Sequence, residues 1–334
     1  MKGNKKIILS GIQPSGTLCI GNYLGAIKNW VKLQHDYDSI FVVVDMHAIT
    51  ARQNPAELRK RCLSFAAQFI ACGIDPKLSS IFVQSHVSAH AELAWVLNCF
   101  TYMGELNRMT QFKDKSKKNN ANINAGLFTY PILMASDILL YQADLVPVGA
   151  DQKQHLELAR NIAERFNNEY SPTFKIPEPY IPNHGARIMS LQSPKSKMSK
   201  SDENENNFIG LLDNEKTILK KIKRSVTDSG SKVNYQNGGE GLKNLINIYS
   251  LFSGEKIELI EQKYINQGYK EFKDGLTEVV IESLRPIQKK YHSLIDEKSY
   301  LEKILNEGST NAMYRARKTI QKVYRKIGFP QFKS

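Results

Sequence analysis

The sequence lacks long apolar runs and paired cysteines. No stretch approaches the roughly 18 apolar residues of a membrane span, and the apolar run after the basic first residues is far too short for a signal peptide. The four cysteines (Cys19, Cys62, Cys72 and Cys99) contain no CxxC pair, and scattered free thiols are typical of a reducing cytosol. We therefore expect a soluble, cytoplasmic protein with no membrane partner.

Two common nucleotide-binding patterns are also missing. There is no GxGxxG fingerprint, and the GxxxxG spacing that begins at Gly11 is followed by Thr17 and Leu18, where a P-loop needs Lys and then Ser or Thr. Instead, an apolar run from Ile7 leads through a turn-rich loop into a helical pattern that opens at Gly21. This order can place backbone N–H groups and a helix dipole against a phosphate. A plain strand-turn-helix corner fits the spacing equally well.

The chain is strongly basic. Its 46 Lys and Arg residues exceed its 33 Asp and Glu residues, which gives a formal net charge of +13. Such an excess fits an anionic partner, with nucleic acid ahead of a membrane surface, and a biased coding composition is the alternative explanation for part of it. In two predicted helices, phosphate contact and ordinary solvation are equally good explanations for the basic residues, which are Lys216, Lys220, Lys221, Lys223, Arg224, Arg315, Arg317, Lys318, Lys322, Arg325 and Lys326.

Hydrophobic periodicity predicts an α/β first part. Four apolar runs predict buried strands, at Ile7–Leu9, Ser39–Asp45, Ser79–Gln84 and Leu145–Val148. Amphipathic stretches between them predict helices, so the fold class is α/β with a Rossmann-like parallel sheet. Between about residues 88 and 165 the pattern is mainly helical, like an insertion into this part.

The second part is predicted to be all helical. A proline cluster (Pro172, Pro177, Pro179 and Pro182) predicts a loop, and no buried-strand pattern follows Asn214. We expect two domains, residues 1–188 and residues 189–334. Helical spacing covers Lys216–Val226, Leu242–Phe252, Lys256–Gln267, Lys270–Tyr291, Tyr300–Asn306 and Asn311–Ile327.

A short motif, Lys197-Met198-Ser199-Lys200-Ser201, lies in a polar, turn-prone stretch. Two lysines three residues apart on a mobile loop can converge on a polyphosphate, and serine hydroxyls can add hydrogen bonds. A basic loop considered alone is more often just a solvated surface. The motif gains weight only when it is paired with the opening segment.

A carboxylate lies on an apolar helix face in the segment TYPILMASDILLY. Pro131 suits the first turn of a helix, and Tyr130, Met134, Asp137 and Tyr141 then follow at i, i+4, i+7 and i+11. Burying a carboxylate on such a face costs free energy unless it has a partner. Asp137 is therefore a candidate ligand-binding residue, and a salt-bridged or capping role is the alternative.

These motifs together resemble one family. PSGTLCIGNYLGA is similar to the HIGH-type signature of class I aminoacyl-tRNA synthetases, and KMSKS is the second signature of that class. SGIQPSG, DMHAIT, MTQFKDKS, GLFTYPILMASDILLY, VGADQKQH and GARIMS resemble the bacterial type of the tryptophanyl-tRNA synthetase family. The similarity runs from about Ile7 to about Phe329.

The resemblance implies a nucleotide-binding domain, a helical domain that reads tRNA, and a homodimer. The family forms tryptophanyl-adenylate and pyrophosphate from tryptophan and ATP with Mg2+, and then transfers tryptophan to tRNA(Trp). It implies no protein-bound structural metal. Adenylation is an in-line displacement at the α-phosphate, so positioning and electrostatics drive it and no enzyme nucleophile is required.

The resemblance also assigns residues. Lys197 and Lys200 would compensate charge on the leaving pyrophosphate, and with Gln13 and Asn22 they are the catalytic candidates. The missing side chain of Gly21 would let ATP approach the backbone. The ATP-binding candidates are Gln13, Pro14, Ser15, Gly21, Asn22, Gly149, Ala150, Asp151, Ile188, Lys197, Met198, Ser199, Lys200 and Ser201.

Asp137 would accept a hydrogen bond from the substrate's indole N–H, which is a donor only. Tyr130 and Gln152 would hold the amino group, and Met134, Val146 and Val148 would wall the indole. His47 is either a binding residue or a structural histidine. Gln111 and Lys115 are weaker candidates for orienting substrate or phosphate.

Three residues depart from the family pattern. Cys19 stands where the HIGH-type motif usually begins with His or Thr, Met46 replaces the usual Gln, and Ala150 replaces an acidic residue. Two alternatives stay open. One is tyrosyl-tRNA synthetase, which would more often carry Gln in place of Met134, and the other is a non-catalytic RNA-binding paralogue, which the charge alone would suit.

Overall fold

A parallel sheet forms the centre of the first part of the chain. The computed structural model describes residues 5–113, 123–149, 152–181, 187–230 and 232–330. Within them, five parallel strands pair in the order β3-β2-β1-β4-β5. The strands are β1 (Ile7–Ile12), β2 (Asp38–Val43), β3 (Ser79–Val83), β4 (Leu145–Pro147) and β5 (Glu178–Tyr180).

Helices cover both faces of this sheet, and the strands are apolar on both sides for that reason. Phe41 and Val43 point into one core, and Ile40 and Val42 point into the other. The helices of this part are α1 (Ile20–Asn22), α2 (Lys28–Asp36), α3 (Asp45–Ala48), α4 (Pro55–Ala71), α5 (Ala89–Asn98), α6 (Met103–Asn107), α7 (Ala125–Leu140) and α8 (Lys153–Tyr170), with a π-helical turn at Tyr23–Ile27.

The four predicted strands are confirmed, and a fifth was missed. Strand β5 lies within the proline cluster that predicts a loop. Pro179 lacks an N–H donor, but β5 is an edge strand of the sheet, where proline is tolerated. A three-residue strand that contains proline gives almost no periodic signal in the sequence.

Pro131 does not begin a helix, contrary to the sequence-based argument. Helix α7 begins at Ala125, with the Asn124 side chain accepting a hydrogen bond from the Leu127 N–H at 2.9 Å, and Pro131 lies inside it. The asparagine cap therefore sets the start of the helix. The spacing that places Tyr130 and Asp137 on one face is unaffected.

The second part is helical, as predicted. Its helices are α9 (Glu215–Arg224), α10 (Glu240–Ser253), α11 (Ile257–Lys263), α12 (Tyr269–Asp296) and α13 (Lys298–Ile327). The two predicted segments at Tyr300–Asn306 and Asn311–Ile327 are one continuous helix, because Gly308 does not end it. A Cβ on Gly308 would lie 1.9 Å from the Ile81 carbonyl oxygen, so this glycine allows α13 to approach the main chain of β3.

The two parts share their cores. One apolar cluster joins Phe41 of β2 to Leu245 of α10 and Phe272 of α12, while Ala316 of α13 packs in the cluster on the opposite sheet face. The boundary at residue 188 stays a prediction. Among the described helices, none is long and apolar enough to cross a membrane.

Candidate active site

The opening loop packs directly against the KMSKS motif. Gly16 has a φ of +62°, and a Cβ there would lie 2.0 Å from the Lys200 carbonyl oxygen, so the position requires glycine on both counts. The Thr17 N–H donates to the same carbonyl at 3.4 Å, and the hydroxyl oxygens of Ser15 and Ser201 lie 3.5 Å apart. The two motifs, far apart in sequence, therefore form one site.

The KMSKS motif begins in a small antiparallel hairpin. Met189 pairs with Lys197, and the Met198 N–H donates to the Ile188 carbonyl oxygen at 2.9 Å. Ile188 and Met198 are buried in the core, whereas Lys197 is exposed. The buried side chains of Ile188 and Met198, two ATP-binding candidates, therefore anchor the hairpin in the core, and the Lys197 side chain is exposed to solvent.

Lys200 is docked inward. Its ammonium group donates to the Gln13 carbonyl oxygen and lies 4.7 Å from the centroid of the Phe65 ring. Burial lowers the pKa of Lys200 from 10.5 to about 7. An electrostatic interaction with the neighbouring Cys19 opposes part of this shift. Gln13 also accepts a hydrogen bond from the Ser15 N–H at 2.9 Å, which forms the turn of the opening loop.

Cys19 points into the core. Its backbone N–H and its thiol lie 3.1 Å and 3.2 Å from the Asn22 side-chain oxygen, and burial raises the pKa of the Cys19 thiol. Asn22 thus caps the first turn of α1. At Gly21 an added Cβ would make only ordinary contacts, the nearest at 3.4 Å with Met198. Of Gly16 and Gly21, contacts within the protein therefore require glycine only at Gly16, and the approach of ATP to Gly21 stays a prediction.

The Asp137 carboxylate is the centre of a second cluster. Oδ1 lies 2.6 Å from His90 Nδ1 and accepts from Gln84 Nε2 at 2.6 Å, and Oδ2 lies 2.8 Å from His47 Nε2. His47 follows β2 in α3, Gln84 directly follows β3, and His90 lies in α5. Groups at the carboxyl ends of two strands therefore converge on one residue of α7, where open parallel sheets bind ligands.

Hydrogen bonds keep this carboxylate ionised. Burial opposes ionisation of Asp137, but the hydrogen bonds from His47 and His90 outweigh it and lower the pKa to about 2. A buried, ionised acceptor suits a ligand that offers an N–H donor. His47 hydrogen-bonds Asp137, which supports the structural alternative, and its side chain is partly exposed, so its role in binding substrate stays a prediction.

Of the other residues proposed for the amino acid, Tyr130 lies beside His47 of this cluster. The Tyr130 hydroxyl lies 2.9 Å from His155 Nε2 and donates to Gln111 Oε1 at 3.1 Å, and the rings of His47 and Tyr130 meet edge to face at 6.3 Å. Val146 and Val148 are buried, and Met134 and Gln152 are half-buried. Gln152 is the N-cap residue of α8, and its N–H donates to the Gly149 carbonyl oxygen at 3.0 Å. Three candidates lie outside the described residues: Lys115, Ala150 and Asp151.

Gln84 and His90 were missed as site residues. Both are fully buried, and each hydrogen-bonds Asp137. The sequence placed His90 in a helix and Gln84 at a strand end, and a single polar residue there gives no pattern. The one available signal was that a buried Asp137 needs donors, but sequence alone does not say which residues supply them.

Several comparisons bear on the identity of this site. Residues 1–285 match the family described as tRNA synthetases class I (W and Y). A tryptophan--tRNA ligase of Clostridium tetani is 58% identical over 329 residues, which cover 98% of this chain and 97% of the relative. The crystal structure of tryptophanyl-tRNA synthetase from Campylobacter jejuni complexed with ADP and tryptophan matches with a TM-score of 0.85 at 39% identity, over 97% of this chain and 100% of that one.

The tryptophanyl-tRNA synthetase from Mycoplasma pneumoniae matches with a TM-score of 0.87 at 34% identity, over 98% of each chain. These matches span both signature motifs and the Asp137 cluster. The chain belongs to the class I tRNA synthetases of the W and Y family, within its tryptophan--tRNA ligase branch.

Proposed function

We propose that this protein activates tryptophan with ATP to form tryptophanyl-adenylate and pyrophosphate, and then transfers tryptophan to tRNA(Trp). The observation that carries the choice of amino acid is the buried, ionised Asp137 carboxylate on an otherwise apolar and aromatic helix face. The activity agrees with that of the relatives named tryptophan--tRNA ligase. The protein works in the cytoplasm in this proposal.

In the proposed complex, the indole N–H donates to Oδ2 of Asp137. Val146 and Val148 wall the ring together with Met134, and Tyr130 and Gln152 hold the α-amino group. An analogue without the N–H leaves a buried carboxylate with an unused acceptor site, which costs binding free energy. The same site has no need of an editing activity to reject such analogues.

ATP binds as its Mg2+ complex between the opening loop and the KMSKS hairpin. The tryptophan carboxylate oxygen attacks the α-phosphorus, a P–O bond forms, and the bond to the departing pyrophosphate breaks in line. Lys200 leaves the Gln13 carbonyl and the Phe65 ring to meet phosphate oxygens, and Lys197 joins it from the outside of the hairpin. The lysine charges stabilise the charge that develops on pyrophosphate.

The tRNA is held by exposed basic residues of α9 and of the last helix, α13. Arg315 and Lys322 are poor candidates, because Arg315 pairs with Asp38 at 2.8 Å and Lys322 donates to the Pro172 carbonyl oxygen at 3.0 Å. Lys221 is likewise buried and paired with Asp213 at 2.7 Å. The exposed candidates are Lys216, Lys220, Lys223, Arg224, Arg317, Lys318, Arg325 and Lys326.

A homodimer fits the apolar surface of the helical insertion. Trp95 of α5 is 70% exposed, and Met103 of α6 and Tyr102 just before it are 65% and 63% exposed. Three large apolar side chains left in water on neighbouring segments are typical of a protein interface. We propose that a second copy of this chain covers them.

Amino-acid-dependent pyrophosphate exchange tests the proposed function. Exchange with tryptophan and not tyrosine is the expected result, and Asp137→Asn should lower kcat/KM for tryptophan by at least about tenfold, because the amide offers a weaker acceptor. Exchange with tyrosine alone would favour the tyrosyl alternative. A folded protein that forms no adenylate with either amino acid would favour the RNA-binding paralogue.

A further inference from the structure

We propose that Gln84, His90 and Tyr141 are positioning residues that fix the Asp137 carboxylate so that a single acceptor site on Oδ2 faces the substrate. The inference rests on the proposed function, in which Asp137 binds the indole N–H. It adds the groups that set the selectivity of that contact, none of which touches the substrate in this arrangement.

His90 is locked from every side. Its ring is fully buried, with Nδ1 2.6 Å from Asp137 Oδ1 and Nε2 2.8 Å from the Tyr141 hydroxyl oxygen. Its carbonyl oxygen accepts from the Ser136 hydroxyl at 2.7 Å, and the Phe82 ring lies 6.2 Å from its own. The ring therefore cannot turn away from the carboxylate without breaking several contacts.

The Asp137 carboxylate and the Tyr141 hydroxyl together set the direction of the hydrogen bonds through His90. The ionised carboxylate can only accept, so His90 Nδ1 carries a proton and donates to Asp137. In a neutral imidazole Nε2 is then an acceptor, and it accepts from the Tyr141 hydroxyl, which stays protonated because burial and the Asp137 charge raise the pKa of Tyr141. The chain of hydrogen bonds thus runs in one direction, from Tyr141 through His90 to the carboxylate.

Gln84 is fixed in the same way. Its Oε1 accepts from the Met46 N–H at 3.1 Å, which turns its Nε2 toward Asp137 Oδ1 at 2.6 Å. The Gln84 side chain is fully buried. Met46 precedes His47, so the same turn supplies the donor to Oδ2 and orients the donor to Oδ1.

Among the residues that the structure describes, these contacts leave one acceptor site on the carboxylate. A carboxylate has about four lone-pair sites, two on each oxygen. His90 and Gln84 fill both sites of Oδ1, and His47 fills one site of Oδ2. The remaining acceptor site on Oδ2 suits one N–H donor. A carboxylate that cannot rotate cannot adjust to a ligand that lacks this N–H donor.

The test compares tryptophan with β-(3-benzothienyl)alanine, which has sulfur in place of the indole N–H. In pyrophosphate exchange, Gln84→Met and Tyr141→Phe should each lower kcat/KM for tryptophan by about tenfold, mainly through KM, because a loosened carboxylate makes a weaker hydrogen bond. The analogue makes no such bond, so its kcat/KM should change little and the selectivity ratio should fall.

Two matched variants control for loss of packing. Gln68 is a buried glutamine of α4 that bonds Ser64, and Tyr249 is a buried tyrosine of α10 that bonds Lys263. Gln68→Met and Tyr249→Phe should leave the ratio unchanged. If Gln84→Met does not fold, the result for Tyr141→Phe, which removes one oxygen atom, decides the test. His90→Gln keeps a hydrogen-bond donor and should therefore retain part of the selectivity for tryptophan over the analogue.

The outcomes separate the two proposals. An unchanged ratio in Asp137→Asn would overturn the role of Asp137 itself. A ratio that falls in Asp137→Asn but not in Gln84→Met or Tyr141→Phe would overturn the positioning roles alone. Equal losses for tryptophan and the analogue would mean that these residues only support the fold.

Discussion

The side-chain amide of Asn244 forms two hydrogen bonds with the main chain of Met189, accepting from its N–H at 2.9 Å and donating to its carbonyl oxygen at 2.9 Å. Asn244 is buried in α10, and Met189 pairs with Lys197 across the KMSKS hairpin. The helical part of the chain therefore fixes the strand that pairs with Lys197, a phosphate-binding lysine in the proposed reaction.

Loss of this clamp should slow adenylate formation. Asn244→Ala leaves the Met189 main chain without its partner, so the hairpin should present Lys197 less often in its working position. We expect kcat in pyrophosphate exchange to fall by about tenfold with KM for tryptophan little changed. The control is Asn247→Ala, because Asn247 lies on the same helix as Asn244 but its side chain contacts Tyr235. Similar losses in both variants would assign Asn244 to general stability.

Lys200 should titrate near neutrality in the absence of ATP. Because burial lowers its pKa to about 7, the docked side chain binds a proton less tightly than a solvated lysine, whose pKa is 10.5. Raising the pH from 7 toward 10.5 therefore makes the free energy of docking more favourable, and lowering the pH toward 7 removes this gain. The Cε chemical shift of labelled lysine, assigned with Lys200→Arg, measures the midpoint. A non-hydrolysable ATP analogue should raise it, and a midpoint near 10.5 without nucleotide would contradict docking.

Gly308→Ala should destabilise the protein. The added Cβ would lie 1.9 Å from the Ile81 carbonyl oxygen, so α13 must move away from β3. Overpacking of this kind costs about 1–3 kcal/mol, which chemical denaturation can measure as a change in the free energy of unfolding. Gly104→Ala, where a Cβ would meet nothing within 4 Å, is the matched control and should change stability little. Equal stability of both variants would refute the close approach.

Neutralising Arg317 and Lys318 together should weaken tRNA charging more than adenylate formation. Both are exposed on α13, and phosphate contacts of this kind supply affinity that does not depend on sequence. The control is the double alanine variant of Lys298 and Lys303, which lie on the same helix in exposed pairs with Glu302 and Glu307. Aminoacylation and pyrophosphate exchange are measured in parallel, and an equal loss in both assays would count against tRNA contact.

Most of the fold could be predicted from periodicity. Long β-branched runs and amphipathic helices give strong local signals, and the fold class and family are confirmed by the matched structures. The errors came from residues that usually mark helix ends but whose role here is overridden by other contacts. Gly308 and Pro131 are usual markers of helix ends, but packing against Ile81 and the Asn124 cap override them.

Part of the candidate site could be predicted from the sequence. The two signature motifs and Asp137 carry recognisable patterns, and the structure brings the paired motifs together at Gly16. The donors to Asp137 come from separate elements, so no spacing in the sequence joins Gln84 to His90 or to Asp137. Which basic residues are already paired, as Arg315 is with Asp38, likewise depends on tertiary structure.

The packing of α13 on β3 has a consequence for protein synthesis. β3 is an end strand of the sheet, and the helix that covers it spans Lys298–Ile327. A ribosome makes β3 more than 200 residues before that helix. The main chain of β3 therefore lacks the cover of α13 while the intervening residues are translated. Such open edges pair readily with other chains. We expect the nascent chain to depend on chaperones until this helix has emerged.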